Sequence, residues 1–477
     1  MNAVRSGLVT GISTVAVSGS AAIAGAILSR KFGHGVKTDG FFAAYGVYVA
    51  LVLVANALRV VVLPRFARAR VEGRLGREVG TWSLALAGPL VPAVVVAVAA
   101  PHSLASVLTG SSSAQHQAAE LLPWLVPAAA AQVYAGVAAS GLAALHDYET
   151  AASGFAVGAI AGLGAIVALV GHSVQAFGWG LALNGAVALI VPLVVLVARG
   201  GLGWPAPGAV ARLRELAEGV ALPFALQGLY VVGYRFASGL ASGKPTTFSY
   251  AYLIAALLVA VSATSIALVS SVPLSRGELT SERAGRHVVA ASWLSLAVVG
   301  AAAGVFALAG ARVARWALGS QYGGGTGTEL GRLVVYFAPW MVASVAVSVA
   351  FPLLFVRGRA RWLPLLAVAA LCAHVLVEWV GRAAFGLAGI AAGMAVTTGA
   401  ILVVLLWPLG ALTQALRGLL TAAVVCGGLA ALAFGLPHVV FGAVPAAAVG
   451  LALYAAALGV WRPSGLRSAW IYVRTLQ

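Results

Sequence analysis

Long, nearly uninterrupted apolar stretches recur along the whole chain, and they constrain its fold more than any other feature. Two clear examples cover residues 41–58 and 251–269. A helix that crosses a bilayer needs ~20 mostly apolar residues, because the hydrocarbon core is ~30 Å thick and a helix rises ~1.5 Å per residue. Strands of a membrane barrel would instead alternate polar and apolar residues. The sequence therefore predicts an all-α polytopic membrane protein.

Fourteen apolar runs can be counted, and each is long enough for one transmembrane helix. Their approximate limits are residues 8–29, 41–63, 81–100, 121–143, 151–171, 178–198, 219–240, 247–271, 288–310, 332–356, 362–381, 386–409, 418–436 and 439–461. The composition agrees, since 61% of the residues are hydrophobic and 9% are charged, whereas soluble domains are about 45–50% apolar and about 25% charged. A soluble enzyme and a nucleic-acid-binding surface are thereby excluded. The first run could alternatively be a secretory signal, because it follows Arg5 and is rich in alanine.

The basic residues test this topology. The formal net charge is +17, from 29 Lys and Arg and 12 Asp and Glu. If the N-terminus is cytoplasmic and the spans alternate, 19 of the 29 basic residues fall on the cytoplasmic side and eight on the outer side, with Arg59 and Arg235 inside spans. This bias follows the positive-inside rule. We therefore predict a multi-pass protein of the cytoplasmic membrane with both termini in the cytoplasm. Its usage of Ala, Gly, Val and Arg is typical of a GC-rich bacterial genome.

Two short motifs recur at nearly the same interval, which indicates an internal repeat. Pro64 and Pro273 end the second and eighth runs and are 209 residues apart, and a Pro-Trp pair at 123 recurs at 339, 216 residues later. Halves of six spans each would share one orientation, with a binding cavity between them near the membrane midplane. The predicted divisions are an N-lobe, a C-lobe, an additional helix pair and a cytoplasmic tail, at residues 1–200, 212–410, 417–461 and 462–477.

The richest polar cluster lies where the first run meets the second. Residues 29–42 contain three cations, a histidine and Asp39. One interpretation is an exposed hairpin whose charges contact water and lipid head groups. The other is an anion-receiving rim, in which Arg30 and Lys31 face a phosphate and Asp39 orients a cation or acts as a gate. Arginine suits this role because its planar fork of donors matches phosphate oxygens.

Ionisable residues inside spans are costly, and they usually face a cavity or a partner. Arg59 lies five residues before Pro64, so we expect its side chain to reach the cytoplasmic interface. Arg235 has no acid within a turn of its helix, and it could face a cavity or lie near the outer end of the span. Hydroxyl residues between Ser13 and Ser20 favour close helix packing in the first span, with a wet cavity as the alternative.

Three ionisable residues of the eleventh run share one helix face, because His374, Glu378 and Arg382 follow at intervals of four. Glu378 and Arg382 could pair and lock the helix end. Alternatively, His374 and Glu378 could relay protons and couple ion movement to transport. The two cysteines, Cys372 and Cys426, are predicted to be small core residues. Since no phosphate-cradling loop, metal-ligand set or nucleophile-base motif is found, we expect no enzyme, no metal and no cofactor.

The first hairpin resembles a known family signature. In lipid II flippases of the MurJ (MviN) type, within the multidrug/oligosaccharidyl-lipid/polysaccharide (MOP) exporter superfamily, a cation precedes Phe-Gly-x-Gly-x-x-Thr-Asp-x-Phe-Phe. This sequence keeps that pattern at Arg30, Phe32, Gly33, Gly35, Thr38, Asp39, Phe41 and Phe42. Residues 236–243, 250–251 and 271–275 also resemble the family's spans 7 and 8, and the likeness continues loosely to about residue 410.

The resemblance implies two six-helix lobes that form a V around a central cavity, with spans 13 and 14 contributing a groove for a lipid tail. The chain departs from the family in its cations. The family's arginine after the Tyr-Ala pair of span 8 is absent, since Tyr252, Leu253 and Ile254 follow Ala251, and no arginine follows the Phe-Phe pair of span 2 before Arg59. The cavity is therefore expected to be less cationic than the family's, and Arg235 could compensate.

The resulting hypothesis is a flippase for a lipid-linked cell-wall or polysaccharide precursor, with Arg30, Lys31, Asp39 and Arg235 in its cavity. Its partners would be membrane lipid, the lipid-linked sugar and proteins of cell-wall synthesis or division, and not nucleic acid. Two alternatives stay open. One is a cation-coupled antiporter of the multidrug and toxin extrusion (MATE) type, for which Glu378 would be the coupling carboxylate. The other is a non-transporting MurJ-like partner in cell-wall assembly.

Overall fold

The computed structural model describes residues 3–275, 280–358 and 360–475, and every regular element within them is helical. Short 3-10 turns occupy Ser320–Tyr322 and Ala360–Trp362. The α-helices are α1 (Ala3–Phe32), α2 (Val36–Val71), α3 (Leu75–Ala99), α4 (Pro101–Leu108), α5 (Ser112–Ala144), α6 (Tyr148–Leu169), α7 (Gln175–Ala198), α8 (Ala209–Ala237), α9 (Lys244–Ser275), α10 (Ser281–Leu318), α11 (Gly324–Tyr336), α12 (Ala338–Val356), α13 (Leu363–Phe385), α14 (Leu387–Leu406), α15 (Leu412–Val440), α16 (Ala443–Trp461) and α17 (Ser464–Thr475).

Each of the fourteen apolar runs coincides with one helix or one helix pair. Among the described residues, twelve helices are individually long and apolar enough to cross a membrane, and Gly324–Tyr336 with Ala338–Leu354 passes the same test as a pair bent by 41°. The remaining run falls on α9, a helix of 32 residues. The prediction of an all-α polytopic membrane protein is confirmed. Pro273, one member of the sequence repeat, lies outside the residues whose side chains are described.

Several helices are longer than the apolar runs that predicted them. The second run was expected to end at residue 63, but α2 continues through Pro64 to Val71. The proline is tolerated because neighbouring groups in a helical membrane protein can satisfy the backbone that it leaves unpaired. The extension carries the basic residues Arg65, Arg68 and Arg70 on the same helix as Arg59.

Two compact units make up the chain. The first contains Met1–Thr246 with Leu363–Val368, and the second contains Thr247–Trp362 with Ala369–Gln477. In the first unit, α2, α3 and α5 enclose a core in which Leu58, Phe66 and Trp82 are fully buried. Helices α6 and α7 approach closely through glycines, since a Cβ at Gly162 would lie 2.6 Å from the carbonyl oxygen of Gly180. Such small residues allow tight helix packing in lipid.

In the second unit, α10 packs against α15, α16 and α17. Trp293 of α10 and Cys426 of α15 belong to one buried cluster, while Phe434 and Tyr454 form another. Cys426 is therefore a core residue, as predicted. Cys372 is exposed on α13, and that prediction was wrong. In a membrane helix the face without protein neighbours contacts lipid, so an apolar position does not have to be a protein core position.

Candidate functional site

The hairpin between α1 and α2 is a tight, internally bonded turn. Gly33 has a φ of +69°, a left-handed conformation that glycine adopts readily and that commonly ends a helix. Its amide donates to the carbonyl oxygen of Ser29 at 2.9 Å. The Thr38 hydroxyl donates to the Gly33 carbonyl oxygen, also at 2.9 Å. These bonds hold the start of α2, and hence Asp39, in a fixed position.

Asp39 is 3% exposed, and its carboxylate accepts hydrogen bonds from the N-terminus of α9. Oδ2 accepts from the amide of Gly243 at 2.9 Å. Oδ1 accepts from the amide of Thr246 at 3.0 Å and from its hydroxyl at 2.5 Å. Amides at a helix N-terminus lack partners within the helix, and a carboxylate there also interacts favourably with the helix dipole. Asp39 therefore caps a helix that begins about 200 residues later in the chain.

Two further contacts complete this anchor. The Tyr234 hydroxyl of α8 donates to the backbone carbonyl oxygen of Asp39. Gly243 has a φ of +85°, and a Cβ at that position would overlap the His34 imidazole. Glycine is thus required there both by the backbone conformation and by the imidazole. Hydrogen bonds of both the backbone and the side chain of Asp39 therefore connect the first hairpin to α8 and to the start of α9.

The basic residues of the hairpin lie outside this anchor. Arg30 and Lys31, at the end of α1, are both exposed. Lys37 is exposed too, and its ammonium lies 5.9 Å from the centroid of the Phe32 ring. The structure therefore places Asp39 with its own helix-capping partners and leaves the hairpin cations at the surface.

Arg235 is exposed near the end of α8, beside the loop that joins α4 to α5. A Cβ at Gly110 would lie 2.7 Å from Nη1 of Arg235. The Gly110 amide donates to Oγ of Ser238 at 2.8 Å, which holds this loop against the C-terminus of α8. Arg235 is therefore at the end of its span, and it is not among the described residues that line the cavity of the first unit.

That cavity has a volume of about 490 Å³ and lies between α1, α2, α5, α6 and α7. Its volume is within the range of ~300–1,000 Å³ that is typical of small-molecule sites. Most of its wall is apolar, with polar side chains at intervals. These polar lining residues are Ser13, Thr14, Ser18, Tyr48, Arg59, Gln132, Ser140, Tyr148 and Asn184. The hydroxyl residues of the first span thus line a cavity, although Ser13 also serves helix packing, since it donates to the carbonyl oxygen of Ala152 at 2.7 Å.

Arg59 is the one charged residue among the described residues that line this cavity. Its guanidinium carbon lies 4.5 Å from the centroid of the Phe155 ring, a cation–π contact. Its Nε is buried, and it has no hydrogen-bond partner in the described part of the chain. The sequence predicts that Arg59 reaches the cytoplasmic interface; α2 continues twelve residues, or ~18 Å, beyond Arg59 to Val71, and the contact with Phe155 places the guanidinium at the cavity wall.

The rest of the polar wall can recognise hydroxylated groups. Nε2 of Gln132 donates to Oδ1 of Asn184 at 3.3 Å, which fixes a pair of amides at the wall. Tyr48 continues a stacked aromatic series on α2, with ring centroids 5.2 Å apart for Phe41 and Tyr45 and 5.6 Å apart for Tyr45 and Tyr48. Amides bond to sugar hydroxyls, and aromatic faces pack against the apolar faces of sugar rings. Apart from the hydroxyl-rich first span, no pattern in the sequence indicated this wall.

A second buried polar group lies in the second unit, on α13 and α14. His374 and Glu378 are both 0% exposed, and His374 Nε2 lies 3.2 Å from Glu378 Oε1. This contact lacks hydrogen-bond geometry, so neither carboxylate oxygen has a hydrogen-bond partner among the described residues. Nδ1 of His374 lies 2.8 Å from Oγ1 of Thr397. The carboxylate fits because Gly393 has no side chain. A Cβ at that position would lie 2.8 Å from Glu378 Oε1.

This arrangement suits a proton better than a structural ion pair. The helix face was expected to hold either a Glu378–Arg382 pair or a His374–Glu378 relay, and His374 is the residue that contacts the carboxylate. A buried carboxyl group beside an imidazole can exist as a charged pair or with the proton on either partner. In the described residues, no group of three or more His, Cys, Asp or Glu side chains is arranged to hold a metal ion.

An ion-pair lattice lies where α2, α3 and α8 meet, and sequence reasoning did not find it. Arg65 pairs with Glu215 at 2.7 Å. Arg212 pairs with Glu78 at 2.8 Å and with Glu215 at 3.3 Å. The lattice links the end of α2 and the start of α3 to the first turns of α8, and it neutralises part of the basic cluster that marks this end of the helices.

No protein-family model matches the sequence, and no curated protein matches it. By structure, the chain is similar to the lipid II flippase MurJ in an inward closed conformation, with a TM-score of 0.73, 12% identity and coverage of 95% of this chain and 99% of that chain. An inward-facing multidrug resistance MATE family transporter of the MOP superfamily gives a TM-score of 0.64 at 15% identity, covering 85% and 93%.

A third similar structure is a MOP superfamily transporter from Pyrococcus furiosus Vc1 (DSM3638), with a TM-score of 0.56, 14% identity and coverage of 89% and 95%. Its binding pocket has reverse polarity, from which a different function is suggested for that protein. Identities this low show a shared fold and leave the substrate open. The chain is thus an all-α, multi-pass membrane protein with the fold of the MurJ and MATE transporters of the MOP superfamily.

Proposed function

We propose that the protein is a flippase that moves an anionic lipid-linked sugar, of the kind used as a cell-wall or polysaccharide precursor, across the cytoplasmic membrane by alternating access. The observation that carries this proposal is Arg59, a cation inside a span that lines a cavity with no acidic residue among its described lining residues. The head group would occupy this cavity with its phosphate on Arg59, while the hydrocarbon tail stays in lipid.

Arg59 has no counter-charge among the described residues that line the cavity. Removing a guanidinium from water is costly, and the cost is usually offset by an acid or by several hydrogen bonds. Arg59 has a ring contact with Phe155 and a buried Nε without a partner in the described residues. A phosphate supplies both the negative charge and the acceptor oxygens, in the bidentate geometry that arginine favours. The amides of Gln132 and Asn184 then face the sugar.

The four residues that the sequence predicts to bind the substrate have different roles in this proposal. Arg30 and Lys31, exposed at the hairpin on the predicted outer side, attract the anionic head group as it leaves the cavity. Arg235, exposed near the end of α8, has the same steering role. Asp39 acts in gating, because its carboxylate holds the first hairpin to the start of α9. These hydrogen bonds must break when one of the two segments moves away from the other.

The experiment is translocation in proteoliposomes that contain the full-length protein and a fluorescent polyprenyl-linked sugar. The flipped fraction is measured by its accessibility to a membrane-impermeant reagent. We expect Arg59→Gln to reduce the rate about 100-fold, the consequence of leaving a buried phosphate without its partner, and Arg59→Lys to keep part of it. Arg361→Gln, which removes an exposed cation outside the cavity, is the matched control. Arg59→Gln at the wild-type rate would contradict the proposal.

A different observation favours a second candidate, a cation-coupled antiporter. Such a transporter needs a titratable group inside the membrane, and the buried His374–Glu378 pair supplies one. Export of a cationic drug that is driven by a pH gradient, and lost in Glu378→Gln, would support this candidate. The absence of an acid among the described lining residues of the cavity disfavours it, because a bound organic cation would meet Arg59 instead.

Rescue of a flippase-depleted bacterial cell separates both transporters from the non-transporting alternative. A flippase restores growth and depends on Arg59, whereas an assembly partner fails to rescue and co-purifies with another cell-wall protein.

A further inference from the structure

We propose that the lipid carries a single phosphate, so that the substrate is a polyprenyl monophosphate linked to one or two sugars, and not a polyprenyl diphosphate. This inference rests on the proposed flippase function and specifies the chemical class of its substrate. It is carried by the charge, the donor geometry and the size of the cavity in the first unit.

The charge of the cavity matches one negative charge. Arg59 is the one charged side chain among the described lining residues. A phosphodiester between a lipid and a sugar carries one negative charge, and a diphosphate diester carries two. A second charge would be taken from water with only hydroxyl and amide groups to receive it. Burying a charge without a partner is strongly unfavourable, so the cavity selects against the second phosphate.

The geometry of Arg59 also suits one phosphate. Phe155 lies over the guanidinium, with its ring centroid 4.5 Å from the central carbon. Binding of oxygen atoms is therefore left to the edges of the guanidinium, where the N–H groups lie in its plane. Nε on one such edge has no partner in the described residues. Because Nε is already covered by protein atoms, the edge formed by the two Nη groups is the one that can bind two oxygens of one tetrahedral phosphate.

The size of the cavity limits the remainder of the head group. A volume of about 490 Å³ accommodates a ligand the size of a typical small molecule, such as a phosphate with one or two sugar rings. The Gln132–Asn184 amide pair and the face of Tyr48 then contact the sugar.

The test compares two synthetic lipids that have the same sugar and the same short polyprenyl tail and differ only in one or two phosphates. Full-length protein in proteoliposomes is expected to translocate the monophosphate lipid at least about 10-fold faster than the diphosphate lipid. Gln132→Lys adds a second cation to the cavity wall, and it should shift the ratio toward the diphosphate. Gln132→Leu removes the same amide without adding charge, and it should not shift the ratio in that direction.

The outcomes separate this inference from the proposed function. If neither lipid is translocated, the flippase proposal fails and the inference fails with it. If the wild-type protein moves the diphosphate lipid as fast as or faster than the monophosphate lipid, and Arg59→Gln stops that movement, the flippase proposal stands and the single-phosphate inference is overturned. A monophosphate preference that Gln132→Lys reverses and Gln132→Leu does not reverse supports the inference.

Discussion

The two units each place an ionisable group inside membrane-spanning helices, but they handle its charge differently. In the first unit, Arg59 lines a cavity and has no acidic neighbour among the described lining residues. In the second unit, Glu378 is completely buried and lies 3.2 Å from His374. The first arrangement lacks a counter-charge and has room for one, so it suits an anionic ligand. The second already contains its base, and its carboxylate lies against Gly393, so it suits a proton.

Asp39 is a third buried ionisable residue, and it can be compared with Arg59 and Glu378. Its carboxylate is also buried, but it accepts three hydrogen bonds from Gly243 and Thr246. A buried charge whose bonds are complete holds two segments of the chain together, whereas a buried charge with unused bonding capacity is a candidate for ligand or proton binding. Substitutions at each of these groups test this distinction, and the expected effects decrease from Arg59 to the partly exposed ion pairs.

Reversing the charge at Arg59 should have the largest effect. Arg59→Glu replaces attraction for the head group by repulsion in a partly buried site, and transport of an anionic lipid should fall about 1,000-fold. The measurement is the translocation rate in proteoliposomes, with Arg361→Glu as the control for charge reversal at an exposed site. A rate within about threefold of the control, a difference of about 0.6 kcal/mol, would show that Arg59 does not bind the head group and would contradict the contrast between the two units.

Removing the Asp39 carboxylate should destabilise the fold. Asp39→Ala leaves the amides of Gly243 and Thr246 and the Thr246 hydroxyl without their acceptor, which costs about 3 kcal/mol. Asp39→Asn keeps one acceptor oxygen and should cost less. The measurement is thermal unfolding of the purified protein in detergent. An Asp39→Ala protein as stable as the wild type would contradict the capping role of this carboxylate.

A methyl group introduced beside Glu378 should disturb the buried pair. Gly393→Ala would place a Cβ 2.8 Å from Glu378 Oε1, and such overpacking costs about 2 kcal/mol of unfolding free energy, measured by thermal unfolding in detergent. A Cβ at Gly399, on the same helix, would meet no neighbouring atom within 4 Å, so Gly399→Ala is a matched control and should be neutral or slightly stabilising. Equal stability of the two variants would mean that Glu378 can move freely, and its site would then have room for a ligand.

The ion-pair lattice at the ends of α2, α3 and α8 should contribute least. The side chain of Glu215 is 27% exposed and that of Arg65 is 37% exposed, and pairs of this kind contribute ~1 kcal/mol or less. Glu215→Gln should therefore lower the melting temperature slightly, with a smaller difference at high salt because salt screens exposed charges. A large, salt-independent loss would indicate that the lattice belongs with the buried groups.

Sequence reasoning was most successful for the features that lipid imposes locally. Every predicted apolar run became a helix or a helix pair, because a backbone in lipid must satisfy its hydrogen bonds within each segment. It was less successful for Cys372, and it did not find the contact between Arg59 and Phe155. The neighbour of Arg59 depends on how α2 and α6 come together, and the exposure of Cys372 depends on which side of α13 faces lipid. Neither is encoded in the spacing of neighbouring residues.

The sequence alone therefore determined that this is a helical protein of many spans and that a polar hairpin with Asp39 follows the first span. It also determined that His374 and Glu378 share a helix face, since a spacing of four is a local property. Only the tertiary structure decided what these groups contact: Asp39 caps α9, Arg59 meets Phe155 in a cavity, and His374 bonds to Thr397. These partners lie on other helices, and the packing of whole helices brings them together.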